Sequence, residues 1–421
     1  MTVLVQRYLD EILAEHADNA EGVVADYIPE LATVDPSSFG LSLEMTDGYV
    51  YESGDSAVEF SIQSISKPFT YALALDEVGQ DAVDAKIGVE PSGEPFNEIS
   101  VDDQTKKPKN AMINAGAIAA VSLVPGANPH ERFSRLLDFY SVCAGRALDV
   151  DEDIYQSEKS AGSRNRAIAY MLQSFGVLDD DPDEVLDVYF RQCAIKVTST
   201  DLACMASTLA GGGVNPRTGV RVASPAVVQR TLSVMMTCGM YDATGVWVTT
   251  VGMPAKSGVG GGIIAVLPSQ LGIGVYSPPL GANGNSIRGV LACQSLSAQL
   301  GLHFLSVTRE SRATIRATHD VADGVRIYEL HGDLLFAGAE QALRIVEQDG
   351  DGVDVAILDL SRVDDINDVA RRMLIGMREA LNKVGKEGFL VDPDRRVIPA
   401  DRANAAVYPT VEEAVAAARR P

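Results

Sequence analysis

The chain has 421 residues, of which 46% are hydrophobic and 22% are charged. This length predicts two or three domains, and the composition excludes a wholly disordered chain, a collagen-like repeat and a disulfide-dense miniprotein. The 35 basic and 58 acidic residues give a formal net charge of −23. Such a surface repels nucleic-acid phosphates and anionic lipid and suits concentrated salt, so we expect no nucleic-acid or membrane partner and predict salt tolerance.

The predicted location is cytoplasmic. The first 14 residues place Arg7, Asp10 and Glu11 among apolar residues at helical spacing, unlike a signal peptide, and no window approaches the roughly 20 apolar residues of a membrane span. The cysteines lack Cys-x-x-Cys spacing, which argues against a zinc site or disulfide framework and suits a reducing compartment. The five histidines show no metal spacing, so no metal is expected. The cysteines are Cys143, Cys193, Cys204, Cys238 and Cys293.

The first 308 residues predict an antiparallel sheet with helices packed beside it. Alternating or continuous apolar runs predict strands at residues 41–45, 48–51, 262–267 and 271–276, the last two forming a hairpin. Apolar residues at helical spacing predict helices at residues 67–77, 117–123, 129–144, 163–175 and 200–209. Most of these helices come from the middle of the chain and form a helical subdomain.

A polar stretch at residues 309–321 is the predicted linker to a second domain at 322–421. Strands at 325–330, 353–360 and 388–392 alternate there with helices at 339–346, 369–384 and 411–420. The nearly continuous apolar run 353–360 indicates a strand that is covered on both faces. This alternation within about 100 residues predicts a small α/β domain, so the fold class is α/β (α+β).

The pair Ser64 and Lys67 is the sharpest chemical signal in the sequence. Three residues apart at the start of a predicted helix, the two side chains lie on one face, so the amine can reach the hydroxyl. A serine is a weak nucleophile until a base removes its proton, and a lysine is such a base when burial lowers its pKa. On spacing alone, a structural coincidence is the better explanation.

A second element, Lys256-Ser257-Gly258, precedes the strand at 262–267. A Lys-Ser/Thr-Gly strand beside a Ser-x-x-Lys helix is the arrangement of serine β-lactamases and penicillin-binding proteins. Lys256 adds positive charge, and the small residues let a backbone N–H approach a developing oxyanion. The alternative is a glycine-rich turn with a solvated lysine. Together the two elements favour serine acyl transfer.

Eight segments resemble the serine-dependent glutaminases in content and order. The resemblance covers roughly residues 5–305 and implies the serine β-lactamase-like fold. It also implies hydrolysis of L-glutamine to L-glutamate and ammonia without a cofactor. The segments are residues 25–31 (ADYIPEL), 61–67 (SIQSISK), 108–118 (PKNAMINAGAI), 155–158 (YQSE), 164–166 (RNR), 189–190 (YF), 235–242 (MMTCGMYD) and 254–259 (PAKSGV).

The resemblance also implies roles for nine residues. Ser64 would be the nucleophile, Lys67 the general base, and the Tyr241 phenol would assist proton transfer to the departing ammonia. The backbone N–H groups of Ser64 and Val259 would form the oxyanion hole, and Ser64, Tyr241 and Val259 would contact substrate. Whether Lys67 or a tyrosinate takes the first proton is open. Glu158 would bind the α-ammonium of glutamine, and the α-carboxylate would be held by Tyr27, Asn114, Asn165 and Tyr189.

Each substrate-binding candidate also has a purely structural interpretation. Glu158 could be one carboxylate of a solvated face, and Asn114 could cap the helix at 117–123. The three tyrosines could be packing aromatics. Asn165 lies seven residues after Glu158, so one continuous helix would place both on one side, but Gly162 interrupts that helix.

Residues from about 322 to 415 resemble the STAS domain, the fold of anti-sigma-factor antagonists and of the cytoplasmic tails of sulfate transporters. The resemblance lies in residues 330–339 and 353–366. In the antagonists a phosphorylatable serine follows an Asp at the start of the next helix, whereas residues 366–370 here read INDVA. The carboxylate of Asp368 could mimic the phosphorylated charge at a helix N-terminus. We expect a regulatory partner for this domain; the alternative is a domain that only adds oligomer contacts.

The sequence therefore predicts a cytoplasmic glutaminase with L-glutamine as substrate and a C-terminal STAS domain, assembled as a homo-oligomer (a dimer or a tetramer). One alternative is another serine acyl transferase of the same fold, such as a β-lactam hydrolase or a D-alanyl peptidase. The other is a non-catalytic sensor whose output is the C-terminal domain.

Overall fold

The computed structural model describes residues 4–92, 101–305, 315–349, 352–397 and 406–419. The chain divides into two compact units, one of Leu9–Ser297 and one that combines Met1–Tyr8 with Ala298–Pro421. Within the ranges just given, no helix is long and apolar enough to cross a bilayer.

The first unit is built on a five-stranded antiparallel sheet, as predicted. Its strands, with two short strands that pair with each other, are β1 (Gly40–Met45), β2 (Val50–Gly54), β3 (Phe60–Ser61), β4 (Lys196–Val197), β5 (Ala255–Ser257), β6 (Gly262–Leu267) and β7 (Leu271–Tyr276). The order in the main sheet is β2-β1-β7-β6-β5. The predicted hairpin is confirmed, since β6 and β7 pair from Gly262↔Tyr276 to Leu267↔Leu271.

Helices supply the rest of this unit. They are α1 (Leu4–Ala17), α2 (Pro29–Ala32), α3 (Lys67–Val78), α4 (Gln80–Lys86), α5 (Asn114–Leu123), α6 (Pro129–Ala144), α7 (Glu152–Ala161), α8 (Ser163–Ser174), α9 (Pro182–Cys193), α10 (Ser199–Ala210), α11 (Pro225–Cys238), α12 (Thr244–Thr250) and α13 (Ile287–Leu300). Local sequence fixes several starts: Asn128 accepts from the Glu131 N–H and precedes a proline, so α6 begins as predicted. The helices α2, α4, α7, α9, α11, α12 and α13 were not predicted.

Helix α10 packs on the sheet because β7 presents glycines to it. A Cβ on Gly272 would lie 2.2 Å from the Ser207 nitrogen, and one on Gly274 would lie 2.0 Å from the Ser199 oxygen. Only residues without a side chain allow this approach of helix to strand. The sheet is thereby covered on one face, and its strands β1, β6 and β7 are buried along their whole length.

The second unit is the predicted small α/β domain. Its elements are β8 (Ile315–Ala322), β9 (Gly324–Leu334), α14 (Phe336–Gln348), β10 (Val353–Ile366), α15 (Asp368–Lys383), β11 (Glu387–Val391), β12 (Val407–Tyr408) and α16 (Val411–Ala418). The sheet order is β12-β11-β10-β9-β8, parallel except where β8 pairs with β9. Strand β10 is covered on both faces, as predicted, because both Ile357 and Leu358 are fully buried.

The predicted linker at 309–321 differs from the structure. Residues 315–321 belong to strand β8, which pairs with β9, and residues 309–314 lie outside the described ranges. This strand exposes or half-exposes every residue, so it shows none of the regular apolar alternation that marks a buried strand. Asp368 begins α15, as predicted, but its carboxylate accepts a hydrogen bond from Arg371 at 2.7 Å.

Candidate active site

Ser64 lies on a short 3₁₀ turn, Gln63–Ser66, that leads directly into α3. Gln63 adopts φ = +49°, a left-handed conformation that is uncommon for a residue with a side chain. Lys67 is the first residue of α3, and its Nζ donates a hydrogen bond to Ser64 Oγ. The predicted contact between the two side chains is therefore present.

Burial changes the protonation of Lys67. The side chain is 1% exposed, and desolvation lowers its pKa to about 8, although the nearby Glu158 carboxylate favours the charged form. A large fraction of Lys67 is therefore neutral in mildly alkaline solution, and a neutral amine can accept the Ser64 proton. The arrangement provides a nucleophile and its base.

The glycine run after Ser257 lets β5 and β6 approach the Ser64 turn closely. A Cβ on Gly260 would lie 2.8 Å from the Ser61 oxygen, and one on Gly262 would lie 2.7 Å from Ile65. These glycines are required by space, so side chains there would push the strand away from the turn. Val259, within the run, thereby reaches the same cavity as Ser64.

Tyr241 contacts Ser64 from a second 3₁₀ turn, Tyr241–Ala243. It adopts φ = +57° at the start of a 3₁₀ turn, its hydroxyl donates to the Ser257 carbonyl at 3.3 Å, and it shares a side-chain hydrogen bond with Ser64. Burial raises the pKa of this phenol. Tyr241 therefore keeps its proton and is suited to donating it.

Lys256 is buried rather than solvated, so the simple glycine-turn alternative is wrong. Its Nζ lies 4.0 Å from the centre of the Tyr241 ring and donates to the Ser257 carbonyl at 2.8 Å. Burial, reinforced by repulsion from Lys67, holds the pKa of Lys256 well below its usual value. Lys256 therefore contributes a hydrogen-bond donor to the site.

A cavity of about 440 Å³ opens over Ser64. Eight of the nine predicted site residues line it, and the ninth, Lys67, contacts Ser64. The eight are Tyr27, Ser64, Asn114, Glu158, Asn165, Tyr189, Tyr241 and Val259. Residues that are far apart in sequence are thus brought to one pocket.

Glu158 is the buried anion of this cavity and not part of a solvated face. It is 6% exposed and accepts hydrogen bonds from the Tyr27 hydroxyl at 2.6 Å and from Gln63 Nε2 at 3.0 Å. Burial raises its pKa, whereas these two bonds and the charge of Lys67 oppose that rise. An ammonium group placed beside Glu158 would restore the solvation that the carboxylate has lost.

Amide groups line the other side of the cavity. Asn114 is the first residue of α5, after the N-cap residue Ile113, and makes no side-chain cap, so the capping alternative is wrong. Its Nδ2 donates to Asn165 Oδ1 at 3.0 Å. Because the Asn165 oxygen faces Asn114, the Asn165 NH₂ group points away from Asn114. Gly162 does separate α7 from α8, as predicted, yet both helices deliver their residues to the cavity.

Comparison with known proteins identifies the first unit. A family model described as Glutaminase matches residues 22–305, more than half of the chain. The chain belongs to the glutaminase family. A second model, described as STAS domain, matches residues 316–416.

Several glutaminases resemble the chain over most of its length. The Glutaminase of Corynebacterium glutamicum is 44% identical over 94% of this chain and 95% of that protein, and the solved structure of Mglu is 43% identical over 94% of this chain and 100% of that chain, with a TM-score of 0.72. Glutaminase 2 and Glutaminase 1 of Bradyrhizobium diazoefficiens are 46% and 48% identical, and this chain spans 62% and 58% of their respective lengths.

Sequence reasoning assigned no role to six further residues that line the cavity, which are Gln63, Ala161, Gly162, Arg164, Ile168 and Cys193. Gln63 lies in the motif at residues 61–67 but was given no role of its own. Its contact with Glu158 depends on a positive φ, which the sequence does not reveal. Cys193 lies four residues after Tyr189, one turn along α9, so helical spacing was the available signal. Burial raises the pKa of the Cys193 thiol to about 12, which keeps it neutral.

The described residues contain no cluster of three or more His, Cys, Asp or Glu side chains suited to a metal ion. All five cysteines are buried as free thiols. The cavity and the residues in contact with it offer a serine hydroxyl, two buried amines, three phenols, a carboxylate, a guanidinium, a thiol and amides.

Proposed function

We propose that the protein hydrolyses L-glutamine to L-glutamate and ammonia through a γ-glutamyl ester on Ser64. The observation that carries the proposal is the contact between Ser64 and the buried Lys67, at a cavity that also contains the desolvated Glu158. The pair supplies a nucleophile, and the carboxylate supplies a site for the substrate ammonium.

The proposed reaction has two halves. Neutral Lys67 accepts the Ser64 proton as Oγ attacks the side-chain amide carbon, and the N–H groups of Ser64 and Val259 stabilise the oxyanion. Tyr241 passes a proton to the nitrogen as the C–N bond breaks, and ammonia leaves. Lys67 returns its proton to Tyr241 and is neutral again. Water then attacks the ester carbonyl as Lys67 accepts its proton, the ester C–O bond breaks, and that proton passes to Ser64 Oγ as glutamate forms. Burial lowers the pKa of Lys67 and raises the pKa of Tyr241, so Lys67 and not a tyrosinate is favoured as the first base.

The cavity also supports recognition of the α-amino acid end. Glu158 pairs with the ammonium, while Asn165 and Tyr189 are suited to donating hydrogen bonds to the carboxylate. Asn114 orients the Asn165 amide, and Tyr27 orients the Glu158 carboxylate. A buried zwitterion needs several such partners, because each unpaired charge would cost several kcal/mol.

A coupled ammonia assay with glutamine and asparagine, run beside hydrolysis of a chromogenic β-lactam, tests the proposal. We expect turnover of glutamine well above the other two, and its loss in Ser64→Ala. Ser174→Ala, which removes an exposed hydroxyl bonded to the Met171 carbonyl, is the matched control and is expected to keep full activity. Preferred turnover of the β-lactam would support the alternative acyl transferase, and silence in every assay would support a sensor.

We further propose a cytoplasmic location, which the free, buried thiols support because a reducing compartment preserves them. Cell fractionation tests it. We propose a homo-oligomer, a dimer or a tetramer, which sedimentation tests directly.

The STAS domain is proposed to begin at β8 rather than at residue 322 and to bind a regulatory partner. Its exposed Asp368 is held by Arg371, so we propose docking without a phosphorylation switch at residues 366–370. Deletion from residue 315 onward is expected to change assembly or salt response while glutamine turnover persists. Unchanged kinetics, assembly and salt response would reject a regulatory role.

A further inference from the structure

A closed network of polar side chains lies buried beneath the Ser64 turn. Its members come from the turn, α3, α6 and α9, and each is 0% exposed: Ser66, Thr70, Tyr140 and Gln192. The proposed reaction uses none of them. Four desolvated polar groups are costly unless every one is hydrogen-bonded, so their arrangement calls for an explanation.

The bonds of this network assign the single proton of Ser66, whereas Thr70 Oγ1 and the Tyr140 hydroxyl also contact each other with either oxygen as donor. Gln192 Nε2 donates to Ser66 Oγ at 2.9 Å, and Thr70 Oγ1 donates to Gln192 Oε1 at 2.6 Å. Because the Ser66 oxygen accepts from Gln192, its single proton is free for another acceptor, and it donates that proton to the Gln63 carbonyl at 2.6 Å. Tyr140 donates to the Ser66 carbonyl at 2.7 Å.

The Gln63 carbonyl belongs to the same peptide unit as the Ser64 N–H. A trans peptide is planar, with its oxygen and its hydrogen on opposite sides, so a bond that fixes the oxygen also fixes the direction of the N–H. The chain has no cis peptide bond among its described residues. Gln63 also has φ = +49°, a conformation that needs support from its surroundings.

We propose that Ser66, oriented by Gln192, is a positioning residue that aims the Ser64 N–H at the developing oxyanion. This inference rests on the proposed function, in which that N–H is one of two oxyanion donors. It also links the turn to α9, because Gln192 lies on the same helix as the cavity residue Tyr189.

The test compares Ser66→Ala with the wild-type protein. An oxyanion donor acts mainly in the transition state, so its loss lowers kcat by about 100-fold or more, and a misaimed donor is expected to lower kcat by about 10- to 100-fold with little change in KM. Ser66→Thr keeps a hydroxyl and is expected to recover most of kcat. Gln192→Met keeps the Ser66 hydroxyl but releases its orientation, and an intermediate loss is expected.

Ser207→Ala is the matched control. Ser207 is also 0% exposed and donates its hydroxyl proton to a backbone carbonyl, that of Met45, at 3.1 Å, but it lies on α10 outside the cavity. Its loss is expected to lower thermal stability to a similar degree and to leave kcat unchanged. A kcat loss in Ser207→Ala equal to that in Ser66→Ala would reduce the effect to stability and overturn the proposal.

A binding measurement separates this inference from the proposed function. One probe is L-glutamate. The other is the glutamate analogue in which a boronic acid group, B(OH)₂, replaces the γ-carboxylate; this boronic acid forms a tetrahedral adduct with a nucleophilic serine. Ser66→Ala is expected to lower the affinity for the boronic acid by the same factor by which it lowers kcat, and to leave the affinity for glutamate unchanged. Equal weakening of both probes, or a kcat within about twofold of wild type, would overturn the positioning role. A wild-type protein that neither turns over glutamine nor binds either probe would instead overturn the proposed function.

Discussion

At the scale of single residues, the pKa of Lys67 controls the proposed chemistry. Burial disfavours the ammonium and places this pKa at about 8, and the amine is a base only above that value. We therefore expect kcat/KM to rise about tenfold per pH unit below pH 8 and to level off above it. A profile that falls as pH increases through 8 would contradict Lys67 as the base.

The matched variant at this position is Lys67→Met, which keeps the buried apolar volume and removes the amine. We expect kcat to fall by about 10³-fold or more, in line with the loss of a general base and an activated nucleophile. The variant is expected to fold, because a desolvated amine is replaced by a side chain that gains from burial. Thermal unfolding checks that the loss is chemical.

In the proposed mechanism the carboxylate of Glu158 binds the ammonium group of the substrate. We expect Glu158→Gln to lower kcat/KM for glutamine by about 100-fold, because a charge-assisted bond to the ammonium becomes a neutral one. Glu152→Gln changes the same chemistry on the same helix at a side chain that is 60% exposed, and it should have little effect. Steady-state kinetics of both variants test this prediction. An equal loss of kcat/KM in Glu158→Gln and Glu152→Gln would show that Glu158 acts only through its charge and not through contact with the substrate.

Much of this residue-scale chemistry was predictable. The residue types around Ser64 and Lys256 predicted serine acyl transfer, whereas the place of Tyr241 in the cavity was implied only by the family resemblance. The positive φ angles of Gln63 and Tyr241 were not predictable, since neither is glycine and long-range packing imposes both.

At the scale of elements, Gly162 joins the two helices that carry Glu158 and Asn165. A Cβ there would lie 2.3 Å from Phe190 Cζ on α9, so the close packing of three helices depends on this glycine. We expect Gly162→Ala to lower the free energy of unfolding by about 1–3 kcal/mol and to raise KM for glutamine.

Gly245→Ala is the control for that substitution. Gly245 lies in α12, and an added Cβ would meet nothing within 4 Å. It should leave KM unchanged and leave stability equal or slightly higher, because alanine favours a helix over glycine. Chemical denaturation and initial rates measure both effects; an unchanged KM in Gly162→Ala would argue against this coupling.

Elements with a buried face were predicted, because a buried face requires apolar residues at the spacing of the helix or strand. Strands β6 and β7 and helices α3 and α6 were found close to their true bounds for this reason. The edge strand β8 was predicted to be part of the linker. Five of the seven residues at 315–321 (IRATHDV) are polar or small, and every side chain of the strand is at least partly exposed, so the segment lacks the apolar pattern of a buried strand.

At the scale of the whole molecule, the net charge of −23 predicts a response to salt. Screening shortens the reach of self-repulsion to about 3 Å in 1 M salt, so the compact state should gain stability. We expect the Tm to rise with NaCl into the molar range at fixed pH and activity to persist; a steady fall of both would contradict salt tolerance.

The proposed mechanism requires covalent attachment of the substrate to one hydroxyl, and peptide mass spectrometry of acid-quenched enzyme tests this directly. During turnover of glutamine, or after trapping with a diazoketone glutamine analogue, we predict a single adduct on the peptide that contains Ser64, absent in Ser64→Ala. An adduct on another residue, such as Cys193, or undiminished turnover by Ser64→Ala, would contradict the account.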